Sequence, residues 1–210
     1  MQFIPFDRDV RTLRWQRNLP HWEQPGGTYF VTFRLADSIP KAKWKQWVGE
    51  KEEWMIHHSA PWSDREWKVY REQFLQRIER WSDRGYGDCL LGDPEVREIV
   101  NNSLLFFDAD GASKDGRYEL GDFVIMPNHV HLLVKPVGKW NLGQLIHSWK
   151  SFSAHAINKY LSRTGSLWMD ERFDHLVRSV ESLHHYRLYV QDNPRKAGLQ
   201  ANQFTLHRSA

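Results

Sequence analysis

The chain has 210 residues, of which 40% are hydrophobic and 26% charged, a globular composition that excludes collagen-like, low-complexity and disordered proteins. No segment approaches the ~18 unbroken apolar residues of a membrane span. The single cysteine, Cys89, excludes an internal disulfide framework and a cysteine-rich zinc site. The first residues lack the basic and apolar regions of a signal peptide, so we expect a cytoplasmic protein with no membrane partner.

The net charge of +3 is unevenly distributed along the chain. Residues 91–138 carry a net charge of −4, residues 139–210 carry +5, and the first 36 residues carry +2. Basic end segments are typical of proteins that bind a phosphate-rich partner, although a solvated surface with chance asymmetry would look the same. The cations that we consider candidates for DNA contact are Arg8, Arg11, Arg14, Arg17, Lys150, Arg178, Arg195 and Lys196.

The first predicted strand, Thr28 to Leu35, is rich in β-branched and aromatic residues and follows two glycines. Residues 38–90 are rich in tryptophan, and their apolar positions repeat with helical spacing on both sides of Pro61. We therefore expect a helical hairpin here, inserted into the domain, with its aromatic stripes forming a core. The chain as a whole is expected to be one domain over residues 1–210, with a basic arm at 1–25 and this insertion at about 38–90.

The remaining elements alternate in type. Asp93-Pro94 predicts the start of a helix. Strands are then expected at 118–126 and 129–135, a helix at 140–161, a strand at 173–180, and a helix at 183–192 that ends at Asn193-Pro194. Residues 199–210 carry no firm signal. Without the insertion, this order predicts an α+β fold, the ferredoxin-like split βαβ arrangement: an antiparallel sheet with helices on one face, plus a C-terminal helix.

The most distinctive local pattern is His129-Val-His131 on a predicted strand. Side chains two residues apart on a strand project from the same face, so the two imidazoles can hold one divalent metal ion. Two unligated histidines in the core or at the surface would fit the pattern as well. The pattern has no third histidine or aspartate at the short spacing of a hydrolytic zinc site.

A second pattern is Tyr189 followed by Asn193. Residues four apart on a helix lie one turn from each other on the same side, and Pro194 is expected to end the helix at Asn193. A tyrosine that packs its ring and an asparagine that caps a helix would explain the same residues.

Taken together, four segments of the chain resemble the REP-associated branch of the single-tyrosine HUH transposases, where REP denotes repetitive extragenic palindromes. The segment 127–133, Pro-Asn-His-Val-His-Leu-Leu, is similar to the HUH motif. The other three are Gly26-Gly-Thr-Tyr-Phe-Val-Thr-Phe-Arg-Leu35, Trp168-Met-Asp-Glu-Arg-Phe-Asp174 and Tyr189-Val-Gln-Asp-Asn-Pro-Arg-Lys-Ala-Gly198. The resemblance covers roughly residues 20–36 and 85–200.

The resemblance implies a role for each matching residue. His129 and His131 would bind a catalytic Mg²⁺ or Mn²⁺, Asn193 would be a third ligand, and Tyr189 would be the nucleophile. Tyr186 is a rival nucleophile, but Val190, four residues later, cannot bind a metal. The expected reaction is metal-assisted cleavage and rejoining of single-stranded DNA beside REP-like hairpins, through a 5′-phosphotyrosine intermediate.

The same resemblance sets the expected partners. These are single-stranded and hairpin DNA, bound by a monomer or homodimer associated with the nucleoid. Two alternatives stay open: a domesticated protein that binds hairpin DNA without catalysis, and a metal-dependent hydrolase that uses the two histidines on another substrate.

Overall fold

A computed structural model gives the structure of residues 1, 3–7, 10, 12–16, 20–58, 62–109 and 115–209, without the side chains of residues 13–16, 20, 21 and 64. Its strands are β1 (Leu13–Gln16), β2 (Pro20–Glu23), β3 (Tyr29–Arg34), β4 (Tyr118–Ile125), β5 (His129–Pro136), β6 (Phe173–Leu176) and β7 (Thr205–His207). Its helices are α1 (Lys41–His57), α2 (Asp64–Tyr70), α3 (Gln76–Ser82), α4 (Pro94–Leu105), α5 (Leu142–Tyr160) and α6 (Val180–Lys196), and a π-helical segment (Arg71–Leu75) joins α2 to α3.

The centre of the molecule is a five-stranded sheet in the order β6-β3-β5-β4-β7, in which every neighbouring pair is antiparallel. The unit β3-α4-β4 leaves a gap between its two strands, and β5 fills it. This is the split βαβ arrangement, repeated by β5-α5-β6. The predicted fold class is therefore confirmed.

The two faces of the sheet are covered differently. On one face, alternate residues of β3 and β5, such as Val31 and Leu132, pack against apolar residues of α4 and α5. On the other face, Phe30 and Leu133 pack against Val190 of α6. Because the rows alternate, His129 and His131 lie on the α6 face while Val130 and Leu132 enter the main core.

Residues 41–82 form the expected pair of helical arms: α1, then α2, the π-helical segment and α3 in succession. Buried Trp47, Tyr70, Phe74 and Ile78 form a core between the arms, and the Trp47 indole nitrogen donates to the Phe74 carbonyl at 3.1 Å. The aromatic stripes are thus core, as their spacing indicates. The division of the chain into one domain with an arm and an insertion stays a prediction.

The last helix departs from the sequence prediction at both ends. It begins at Val180 because Ser179 caps it, accepting from the backbone nitrogen of Ser182 at 3.2 Å, so the preceding strand stops at Leu176. It also continues past Pro194 to Lys196. Asn193 and Pro194 are buried, and the carbonyl of Pro194 accepts from Leu199 at 2.9 Å, so packing and bonds beyond the proline outweigh its missing N–H.

Two short elements were missed from the sequence. Strand β7 pairs with β4 at the edge of the sheet, within the segment that carried no signal. Strands β1 and β2 pair with each other inside the basic arm. Both missed elements are three or four residues long, too short to show a periodicity. In the described part of the chain, no helix is long and apolar enough to cross a membrane.

Candidate active site

His129 and His131 meet at the end of the sheet where β5 begins. Both side chains are 1% exposed, and their Nε2 atoms lie 2.9 Å apart. Across the ladder, His129 is opposite Arg34 and His131 is opposite Thr32. The strand thus brings the two imidazoles together on one face, as their spacing predicts.

Each imidazole has a partner on its other nitrogen. His129 Nδ1 lies 2.7 Å from Asn128 Oδ1, and His131 Nδ1 lies 2.7 Å from Thr32 Oγ1. The Asn128 amide nitrogen donates to the carbonyls of Ser82 and Tyr86, so its oxygen accepts from His129. His129 Nδ1 therefore carries the proton, and its Nε2 presents a lone pair toward His131.

The surroundings of the pair favour neutral rings. Burial, together with the positive charge of Arg34, lowers the pKa of His129 to about 3. Burial, His129 and Arg34 lower the pKa of His131 well below its usual value. Both imidazoles are thus neutral at physiological pH, the state in which a histidine binds a metal ion.

Asp83 completes a group of three possible ligands. It follows directly after α3, and its carboxylate Oδ1 lies 3.8 Å from His129 Nε2. One ligand atom from each of Asp83, His129 and His131 lies within 4.8 Å of the other two. Burial raises the pKa of Asp83 to about 6 despite Arg34 and Lys196, so the carboxylate is charged at neutral pH. The sequence prediction of no nearby acid held only for the local motif.

Tyr189 and Asn193 face the histidines from α6. The ring centroids of Tyr189 and His131 are 5.1 Å apart. Burial and the charges of Glu79 and Asp83 raise the pKa of Tyr189, whereas Arg34 and a hydrogen bond with Asn193 act against that rise. Asn193 is 3% exposed, and its buried Oδ1 has no hydrogen-bond partner among the described residues.

Tyr186 lies one turn earlier on the same helix. Its ring stacks on Phe30 with a centroid separation of 4.4 Å, and His175 is its other aromatic neighbour on the sheet at 5.5 Å. Burial raises its pKa as well. The structure thus brings Tyr189 to the histidine pair and Tyr186 to Phe30.

Arg34 is a site residue that sequence reasoning missed. It is 1% exposed, and its Nε donates to Ser82 Oγ at 3.1 Å. Burial lowers its pKa to about 10, against the charges of Glu79, Tyr189, Glu171 and Asp83. A buried guanidinium therefore lies among the carboxylates of the site. Its signal in the sequence is an arginine at the end of a strand that is otherwise apolar.

The candidate DNA-contacting cations fall into different surroundings. Lys150 donates to the Met169 carbonyl at 2.5 Å and is partly buried, which lowers its pKa to about 8. Arg178 is exposed with its guanidinium 4.5 Å from the Trp22 ring, and Lys196 Nζ lies 5.8 Å from the Tyr189 ring centroid. Arg195 is exposed and pairs with Asp192 at 3.5 Å. The remaining candidates, Arg8, Arg11, Arg17 and the Arg14 side chain, lie outside the described residues.

Comparison with known proteins gives one family match and two similar structures. The family model described as "Transposase IS200 like" matches residues 109–193. A REP-associated tyrosine transposase bound to a REP hairpin is similar with a TM-score of 0.49 and 15% identity, over 94% of this chain and 76% of that one. A transposase candidate from Deinococcus radiodurans R1 is similar with a TM-score of 0.41 and 14% identity, over 91% and 98%. Among curated proteins, none matches.

The matched segment includes both histidines, Tyr189 and, as its last residue, Asn193, whereas the helical hairpin with Asp83 lies outside it. The match confirms the resemblance that the sequence motifs indicated: over residues 109–193 this chain carries the sequence pattern of the IS200-like transposase family.

Proposed function

We propose that this protein is a metal-dependent DNA strand transferase that cleaves and rejoins single-stranded DNA beside a REP-like hairpin, through a 5′-phosphotyrosine at Tyr189. The observation that carries the proposal is the placement of Tyr189 beside a buried, neutral histidine pair, with 5.1 Å between the rings of Tyr189 and His131. The family match supports it because all of these residues lie within the matched segment.

The residues of the site fit a divalent cation. His129 Nε2 and His131 Nε2 face each other, the Asp83 carboxylate is near, and the buried Asn193 oxygen has no described partner. Two imidazoles with two oxygen donors suit Mn²⁺, and the oxygen donors also suit Mg²⁺. When bound, such a cation supplies a Lewis acid for the scissile phosphodiester.

The chain's own residues then have defined tasks. Tyr189 Oη attacks phosphorus and forms an Oη–P bond, the P–O3′ bond breaks, and the phenol proton is lost as the 3′ oxygen gains one. The product is a 5′-phosphotyrosine with a free 3′-OH, and attack by a DNA 3′-OH reverses the step and joins strands. The raised pKa of Tyr189 means that the phenol is protonated at rest. Asn193 orients it, and Arg34 holds positive charge near the phosphate.

The exposed cations beside Tyr189 account for binding of the DNA backbone. Lys196 lies over the Tyr189 ring, and Arg178 lies at the start of α6. Phosphate contacts of this kind position a strand without reading its sequence. Lys150, held by the Met169 carbonyl, is better suited to support the loop at 169–171 than to contact solvent-exposed phosphate.

The test is formation of a covalent protein–DNA adduct on a labelled hairpin with a single-stranded flank, in Mn²⁺ or Mg²⁺. Wild-type protein and Tyr186→Phe are expected to form the adduct, and Tyr189→Phe is expected to form none while binding the hairpin within a few-fold of wild type. An adduct that persists in Tyr189→Phe would move the nucleophile elsewhere. Hairpin binding by wild type without any adduct would instead favour the non-catalytic alternative.

A further inference from the structure

A cleft of about 780 Å³ opens between the helical hairpin, the edge strand β6 and the first half of α6. Trp67, Lys68 and Arg71 line it from the hairpin, and Arg178 lines it from the opposite side. Tyr186 and Tyr189 lie on its α6 wall. The proposed reaction uses only Tyr189 among these residues, so the rest of the cleft has no role in it.

Aromatic rings are available along the cleft. Trp22 and Trp67 line it, and the Trp22 ring already carries the Arg178 guanidinium at 4.5 Å. Tyr186 extends this aromatic lining toward Tyr189. Aromatic side chains bind the faces of unpaired bases of any sequence, and each such contact is worth about 1–3 kcal/mol.

The charges of the cleft are arranged with the exposed cations on the hairpin and on α6. Lys68 and Arg71 are exposed, as is Arg178 across the cleft. Three carboxylates also line it: Asp174 accepts from Arg172 Nε at 2.9 Å, Glu181 lies in the first turn of α6, and Glu79 is partly buried. The free cations therefore face the opening, where a phosphate backbone would run.

The geometry points to a binding site for the single-stranded DNA segment that adjoins the phosphate attacked by Tyr189, with the helical hairpin as one wall. This inference rests on the proposed function and assigns a task to the hairpin, which the family match does not cover. A cleft of this volume falls in the range of ~300–1,000 Å³ typical of small-ligand sites, so it takes a few unpaired nucleotides and not a duplex.

The experiment measures binding of two labelled probes, a short oligothymidylate and a blunt hairpin without a flank, across a salt series. The test variant is the double substitution Lys68→Gln/Arg71→Gln, and Arg65→Gln, an exposed arginine on α2 that does not line the cleft, is the matched control. We expect about tenfold weaker oligothymidylate binding in the double variant. The salt slope should fall by about 1.4, since each cation contributes about 0.7 on a single strand.

Hairpin binding should change less than about twofold in the same variant, and Arg65→Gln should match wild type on both probes. Equal losses on both probes, or no loss on oligothymidylate, would overturn the inference. So would a larger loss on oligouridylate than on oligothymidylate, because that result would assign the cleft to RNA. Ultraviolet crosslinking of oligothymidylate to peptides containing Trp67 or Tyr186 is the second readout, and crosslinks confined to other peptides would count against the cleft.

The outcome is separable from that of the proposed function. If wild type forms the Tyr189 adduct while the double variant binds oligothymidylate normally, the cleft assignment is wrong and the reaction stands. If no adduct forms but oligothymidylate binding depends on Lys68 and Arg71, the cleft assignment stands and the reaction does not.

Discussion

Asn128 holds His129 in one tautomer and at the same time ties the helical hairpin to the sheet. Its Oδ1 lies 2.7 Å from His129 Nδ1, and its amide nitrogen donates to the carbonyls of Ser82 at 3.1 Å and Tyr86 at 3.2 Å. Asp83, between those two residues, carries the nearby carboxylate. A single amide therefore coordinates the positions of the histidine and the acid.

Asn128→Ala is expected to weaken Mn²⁺ binding by about 10- to 100-fold, because the partner that orients a metal-binding histidine contributes an effect of that size. Isothermal titration of Mn²⁺ measures it. Asn128→Asp keeps an oxygen acceptor for His129 but loses both donations to the hairpin, so it should retain more Mn²⁺ affinity than Asn128→Ala and still lower the melting temperature. Wild-type Mn²⁺ affinity in Asn128→Ala would show that the tautomer is set by other means.

Asp83→Asn is expected to weaken Mn²⁺ binding by at least about tenfold, as loss of a charged oxygen ligand from a site for a hard cation does. The adduct assay should lose activity in parallel, with hairpin binding retained. Asp88→Asn, at an exposed aspartate five residues later, is the control and should behave as wild type. An Asp83→Asn protein with unchanged Mn²⁺ affinity would remove Asp83 from the ligand set.

The sequence predicts those parts of the site that follow from local spacing. Two residues apart on a strand and four apart on a helix determine the facing sides of His129 and His131 and of Tyr189 and Asn193, whatever the surrounding fold. The order of strands and helices similarly predicts the sheet. These relationships survive an error in the helix end at Pro194, because the facing side of Asn193 depends on helical spacing and not on where the helix stops.

Asp83 and Arg34 could not be found in this way. Asp83 is 46 residues before His129, and it reaches the site only because α3 lies against the end of the sheet, which no periodicity encodes. Arg34 is recognisable only once its neighbours are known, since an arginine at a strand end is usually exposed. Contacts between distant segments depend on tertiary packing, and a single sequence does not report that packing.

Ser82→Ala tests how the hairpin is held on the sheet. Ser82 is 2% exposed, its hydroxyl accepts from Arg34 Nε and donates to the Ile78 carbonyl at 3.1 Å. Removing it leaves a buried guanidinium donor without that partner, which should lower the free energy of unfolding by about 1–3 kcal/mol. Urea denaturation measures the change, and exposed Ser151→Ala on α5 is the control. Equal stability of Ser82→Ala and wild type would show that Arg34 finds another acceptor.

Asp122 anchors α6, and with it Tyr189, to strand β4. Its buried carboxylate accepts from Gln191 at 2.6 Å, from Arg187 at 3.2 Å, and from the backbone and hydroxyl of Ser209 at 3.1 and 2.9 Å. Burial acts to raise the pKa of this carboxyl, but the hydrogen bonds from Gln191, Ser209 and Arg187 outweigh it, so the pKa is lower than usual. The charged form is thus the one that the fold stabilises.

This sign fixes the pH dependence of stability. A carboxyl whose pKa is lower in the folded than in the unfolded state contributes stability that is complete above the unfolded value, about 3.9, and is lost as the pH falls through the folded value. At pH 7, Asp122→Asn should therefore reduce the free energy of unfolding by about 2 kcal/mol, because donors lose a charged acceptor. Below about pH 4 the difference between this variant and wild type should shrink steadily. Urea denaturation at a series of pH values measures it, with Asp88→Asn as the exposed control. A difference that stays constant down to acid pH would show that the contribution of Asp122 comes from packing and not from its charge.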